Sequence, residues 1–126
     1  MKYVFISGKI GEYPISDAVK QKFAEKEKEL REKGYGVINP TDRVFQAKLE
    51  EIEVFFLKGC PKKGSDPSYT LALAYTIQTL INCDAIYMLP DFMSSPGAKA
   101  EHAFAIACGI EVIYDEELYK AGTLRK

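Results

Sequence analysis

A three-layer α/β/α domain on a parallel sheet is the fold class this sequence predicts, and three observations predict it. Short runs rich in Val, Ile and Tyr alternate with segments of helical period, the pattern of successive βαβ units. The run Ile86-Tyr87-Met88-Leu89 is apolar throughout, as a strand covered on both faces must be. The length, 126 residues, suits a single domain over 1–126 that buries roughly two-thirds of the surface its unfolded chain would expose.

Taken in order, Lys2 to Ile6 reads as the first strand and Asp17 to Lys33 as the first helix. Ser16 is placed to cap that helix and Gly34 to end it. Ala18, Phe23 and Leu30 mark its inner side, and its many lysines and glutamates read as solvated surface. Tyr35 to Asn39 forms the next strand. Val44 to Leu57 has helical spacing, and the segment from Gly59 to Pro67 reads as a mobile loop. Pro67 suits the first turn of a helix running to about Asn82. Ala85 to Leu89 is the third strand, a helix begins near Ala98 and ends at Gly109, and Glu111 to Tyr114 is the last strand. No repeat, low-complexity tract or interdomain linker interrupts this order.

The charge balance narrows the partners. Lys and Arg total 17 against 18 Asp and Glu, which gives no electrostatic footprint for a nucleic-acid polymer or an anionic membrane. A small molecule is the expected partner. Apolar stretches stop well short of the ~20 residues that span a bilayer. The N-terminus also runs directly into a strand pattern, so a soluble cytoplasmic protein without a signal peptide is expected. Cys60, Cys83 and Cys108 form no Cys-x-x-Cys pair, and with a lone His102 they suggest no closed zinc site. They read as reduced thiols buried as small apolar side chains, and no cofactor is expected.

In an open parallel sheet, ligands bind beyond the carboxyl ends of the strands. Three loops occupy that edge: Ser7 to Gly11, Asn39 to Asp42, and Pro90 to Gly97. The first lets backbone approach a phosphate or sugar, yet it is neither Gly-x-Gly-x-x-Gly nor a Walker sequence. The most informative segment is Ser95-Pro96-Gly97-Ala98-Lys99-Ala100-Glu101-His102-Ala103, which sets a serine, a glycine and a carboxylate on the opening turns of an apolar helix. Free N–H groups at that helix start are expected to lower the pKa of Glu101 and keep it ionised. An ionised carboxylate near a sugar is a nucleophile. His102, one residue on, points elsewhere around the helix and reads as packed or surface.

Four blocks together resemble the nucleoside 2-deoxyribosyltransferase superfamily over most of the chain. They are Phe5-Ile6-Ser7-Gly8, Gly34-Tyr35-x-Val37-Ile38-Asn39-Pro40, Cys83 to Pro90, and Ser95-x-Gly97-Ala98-x-x-Glu101-His102-Ala103. The resemblance extends to the 2'-deoxynucleoside 5'-phosphate N-hydrolases. It implies a flavodoxin-like or Rossmann-like fold and a retaining glycosyl transfer, in which Glu101 attacks the anomeric carbon and the base departs. The substrate, a nucleoside or its 5'-monophosphate, would be held by Ser7, Gly8, Lys9, Asn39, Ser95 and Gly97. Ser95 stands where the family's phosphate-accepting hydrolases carry a serine.

Two positions depart from the family pattern. Thr76 replaces an aspartate that helps protonate the departing base, and Phe5 replaces a tyrosine of the first strand. A threonine supplies no acidic proton at neutral pH, so Asp91 is assigned as the second catalytic residue, with Asp42 as its rival. The same departures motivate the alternative of a nucleotide-binding module without catalysis. A redox dinucleotide protein would need a full glycine fingerprint and an acidic end to the second strand, where Asn39-Pro40 stands. The resemblance also implies a homo-oligomer, for which Val54-Phe55-Phe56-Leu57 is the candidate interface.

Overall fold

The computed structural model describes residues 1–11, 14–57 and 67–120, less the side chains of residues 54–57, 67 and 68. Four strands and five helices follow in the order β1 (Tyr3–Ser7), α1 (Asp17–Glu32), β2 (Gly36–Ile38), α2 (Arg43–Leu57), α3 (Pro67–Leu80), β3 (Ala85–Met88), α4 (Pro96–Ala107), β4 (Glu111–Tyr114) and α5 (Glu116–Lys120). A single 3-10 turn, Phe92–Ser94, lies between β3 and α4. The strands form one parallel sheet in the order β2-β1-β3-β4. This is the three-layer α/β/α, flavodoxin-like architecture, with its order reversing between β1 and β3.

Alternation along β1 divides the core. Val4 and Ile6 face α1, packing with Phe23 and Leu30 and with Tyr87 of β3. Phe5 faces the other layer, where Phe45 of α2, Leu80 of α3 and Ala98 and Ala105 of α4 meet it. Both central strands are buried along their length, apart from Tyr3 at the start of β1. Helix α1 turns Val19, Phe23 and Leu30 inward, while Ala18 is exposed. The inward set keeps steps of four and seven residues, which the Ala18-based reading does not.

Caps explain the helix boundaries. Ser16 Oγ accepts the Val19 N–H at 3.2 Å, and Gly34 leaves α1 at φ +94°, open to glycine without strain. Asp42 Oδ1 accepts the Phe45 N–H at 2.8 Å at the start of α2. Ser95 Oγ accepts the Ala98 N–H at 3.2 Å, with Pro96 in the first turn of α4. Gly109 ends that helix at φ +72°.

The charged face of α1 is not merely solvated. Lys26 reaches Asp115 at 3.3 Å and Glu29 at 2.5 Å, and Glu27 accepts from Asn39 at 3.0 Å. Of the cysteines, Cys83 is half-buried and Cys108 exposed, against the expectation of burial, and Cys60 lies outside the described residues. Burial pushes the Cys83 thiol up to about 11. Of the segment read as a loop, Gly59 to Pro67, all but Pro67 lies outside the described residues, as do the side chains of Val54 to Leu57, and Pro67 opens α3. Among the described residues no helix is long and apolar enough to cross a membrane.

Candidate functional site

The carboxyl ends of β1 and β3 part where the strand order reverses, and helices α2, α3 and α4 wall in the space beyond. The result is a cavity of about 410 Å³. That is the size of a small-molecule site. Gly8 and Lys9 of the β1 loop, Ser95 and Gly97 at the head of α4, and Glu101 all line it. Phe45, Leu49, Ala72 and Leu73 make its apolar wall.

Glu101 is the one carboxylate of the lining among the described residues. It sits on the second turn of α4, only 8 % exposed. Ser7, the last residue of β1, donates its hydroxyl to Glu101 Oε1 at 2.6 Å. The Thr76 hydroxyl of α3 interacts from another side, while donating at 2.9 Å to the Leu73 carbonyl. Burial pushes the Glu101 carboxyl above the ordinary carboxylate value, and the two hydroxyls only partly pull it back. The sequence expectation was the reverse. Its error is geometric: an amide on the second turn already serves the helix ladder, so the free N–H groups of the helix start do not reach Glu101.

Ser7 itself is 1 % exposed and lies behind the lining, so it positions Glu101 rather than meeting a ligand. Ser95 and Gly97 stand as expected at the head of α4. Pro96 has no N–H, the Ala98 amide is taken by Ser95 Oγ and the Lys99 amide by the Ser95 carbonyl at 2.9 Å. Ser95 and Gly97 both line the cavity, and a helix start leaves the Gly97 N–H without an intrahelical partner. Tyr69 lines it too, its hydroxyl standing 3.1 Å from where a Cβ on Gly97 would sit. Sequence reading missed Tyr69, although a polar aromatic on the first turn of a helix after Pro67 was a usable signal.

Two further predicted site residues, Asn39 and Asp91, fall outside the lining. Asn39 is 3 % exposed and spends its amide locally: Oδ1 accepts the Thr41 N–H at 2.9 Å and the Thr41 hydroxyl at 2.8 Å, and Nδ2 donates to Glu27. It ties the end of β2 to α1. Asp91 accepts the Lys9 N–H at 3.0 Å on Oδ1 and the Lys22 ammonium at 2.5 Å on Oδ2. Lys22 also donates to the Lys9 carbonyl at 2.8 Å. Asp91 and Lys22 thus grip both backbone polar groups of Lys9 and hold the β1 loop. Asp42 is a helix cap. Neither aspartate is aimed at the cavity.

His102 bears out its reading as a packed residue, with Nε2 2.7 Å from the Tyr114 hydroxyl and its ring tilted on Phe92. Burial holds its pKa below the usual value.

Residues 2–114 match the family model described as Domain of unknown function (DUF4406). The chain belongs to the DUF4406 family. No curated protein and no solved structure matches it. In this DUF4406 chain the matched segment includes every strand, the head of α4 and Glu101.

Proposed function

We propose that this protein cleaves or transfers at the N-glycosidic bond of a nucleoside 5'-monophosphate, with Glu101 as the nucleophile. The observation that carries the reading is a buried carboxylate gripped by Ser7 at 2.6 Å, lining an apolar cavity one helical turn from Gly97 and the head of α4. A carboxylate so held needs no reorganisation to meet a sugar carbon. The Oε atom of Glu101 attacks C1', the C1'–N bond breaks with its electron pair going to the base, and a glycosyl ester results. Water or a second base then attacks C1' and releases Glu101. Ser95, the Gly97 N–H and Tyr69 suit the 5'-phosphate, and Lys9 at the exposed rim suits its charge.

The test is a panel of nucleosides and 5'-monophosphates, as ribo and deoxyribo forms, assayed for released base. Glu101→Gln is expected to bind but release none, since an amide forms no glycosyl ester. A slow-leaving 2-fluoro sugar nucleotide is expected to add its mass to the wild type. Ser95→Ala is expected to weaken monophosphates by about tenfold, nucleosides less, as loss of one charge-assisted hydrogen bond of about 1.5 kcal/mol implies. If wild type and Glu101→Gln bind nucleotides equally and neither releases base, the protein is a binding module. The placement of Phe5 wholly within the core favours that second reading, because no hydroxyl there orients Glu101.

A further inference from the structure

We propose that the pocket is built for N-glycosides whose base already carries a positive charge, such as N-glycosyl pyridinium or N7-alkyl purinium nucleotides. The proposal rests on the glycosidic reading above and names its substrate class. Breaking a bond from C1' to a neutral purine or pyrimidine puts an electron pair on nitrogen, and a proton donor must neutralise it. A cationic base needs no donor. Its ring takes the bonding pair, loses its charge and leaves neutral.

The site offers little acid assistance. The side chains that engage the Glu101 carboxyl are the hydroxyls of Ser7 and Thr76, and a threonine hydroxyl supplies no acidic proton at neutral pH. Among the described residues, the carboxylates Asp91 and Asp42 are occupied elsewhere, Asp91 by Lys22 and the Lys9 N–H, Asp42 by the Phe45 N–H. Among the described residues the lining has no acid besides Glu101, and its other titratable side chains are Lys9 and Tyr69. The Tyr69 hydroxyl stands against Gly97, beside the donors proposed for the phosphate, and Lys9 is exposed.

Charge complementarity points the same way. Burial makes ionisation of Glu101 costly, and a cation brought against it through an apolar wall favours the ionised, nucleophilic form. A neutral base gives no such help. The step balances without an added reactant. Glu101 carboxylate and the cationic glycoside give a neutral glycosyl ester and a neutral base, and water then yields the free sugar phosphate, a carboxylate and one proton.

The experiment compares N7-methylguanosine 5'-monophosphate with guanosine 5'-monophosphate, in ribo and deoxyribo forms, with nicotinamide mononucleotide as a second cationic probe. The methylated nucleotide is expected to exceed its parent in kcat/KM by at least about 100-fold, the lower end of what a positioned general acid contributes. Thr76→Asp, which places a carboxyl beside Glu101, is expected to raise turnover of the parent nucleotide by about tenfold or more and so narrow the gap. Equal cleavage of methylated and parent nucleotides overturns the inference while leaving the glycosidic reading intact. Absence of cleavage of every probe overturns both. The comparison within the wild-type protein decides the matter whether or not Thr76→Asp folds.

Discussion

At Glu101 a single residue carries both the proposed chemistry and a cost to the fold. An acid whose folded-state pKa is raised destabilises the protein at every pH above its unfolded value of about 4.3, and the cost vanishes as pH falls below that value. Glu101→Gln keeps the shape, can accept from Ser7 through its carbonyl and donates its N–H to the Thr76 oxygen. We expect the variant to melt a few degrees above wild type at pH 7, with ~1 kcal/mol worth roughly 4 °C in a chain of this size. The difference should shrink towards pH 4, as wild-type Glu101 takes up its proton. Calorimetry at a series of pH values measures this, and a variant less stable than wild type at pH 7 would show that the buried charge is better compensated than Ser7 and Thr76 can explain.

Among the elements, the β1 loop depends on a clamp from α1 and the β3 loop. Gly8 sits so close to Leu89 that a Cβ would come within 2.8 Å of the Leu89 Cβ, which brings the loop down on the end of β3. Asp91 and Lys22 then fix the Lys9 peptide at both ends. Under the proposed function, Asp91 therefore acts through the loop and not by proton transfer. Asp91→Asn is expected to raise KM several-fold and keep kcat within about threefold, whereas loss of a general acid lowers kcat by about 100-fold or more. Amide exchange at Lys9 should quicken in the same variant. Unchanged exchange would sink the clamp.

Across the whole molecule, the layers are joined on the α1 side by a charged group rather than by apolar contact alone. Lys26 crosses from α1 to Asp115, just beyond β4, and lies 5.1 Å from the ring centre of Tyr87, whose hydroxyl donates to Asp115 Oδ2 at 2.8 Å. Burial would raise the Asp115 carboxyl, but the Glu117 N–H, the Tyr87 hydroxyl and Lys26 together hold it below its ordinary value. Burial likewise opposes the Lys26 charge, and Glu29, Tyr87 and Asp115 overcome it, so its pKa is raised. Tyr87, buried and beside Asp115, is pushed up to about 12. The depressed acid stabilises the fold above its unfolded value of about 3.9, and that contribution is lost as pH falls through the lower folded value. The raised lysine contributes fully below about 10.4 and loses its part as pH rises through the folded value. Lys26→Met is expected to cost about 1–3 kcal/mol near neutral pH, between exposed and fully buried pairs. Urea unfolding at pH 3, 7 and 11 should show the gap widest at pH 7, and a constant gap would mean that lost packing of the lysine stem is the whole effect.

Sequence alone determined the order of strands and helices as far as β4, because apolar period and capping are local: Ser16, Gly34, Pro67 and Gly109 each mark a boundary within a residue or two of the observed one, while the short α5 carries too few residues to show a period and was not read. It also placed Glu101, Ser95, Gly97, Gly8 and Lys9 at one cavity, since a parallel sheet gathers its strand ends whatever the loops contain. What it did not determine was which way each polar group turns. Asn39, Asp91 and Ser7 occur in the right loops, yet their partners are Glu27 and Thr41, Lys22 and Lys9, and Glu101, residues up to 94 positions away. The sign of the Glu101 pKa shift was likewise invisible, because desolvation comes from the walls that α2 and α3 place over it and not from the helix that carries it. Local periodicity writes the elements into the chain. Hydrogen-bond partners and burial are properties of distant segments brought together, and only the tertiary structure decides them.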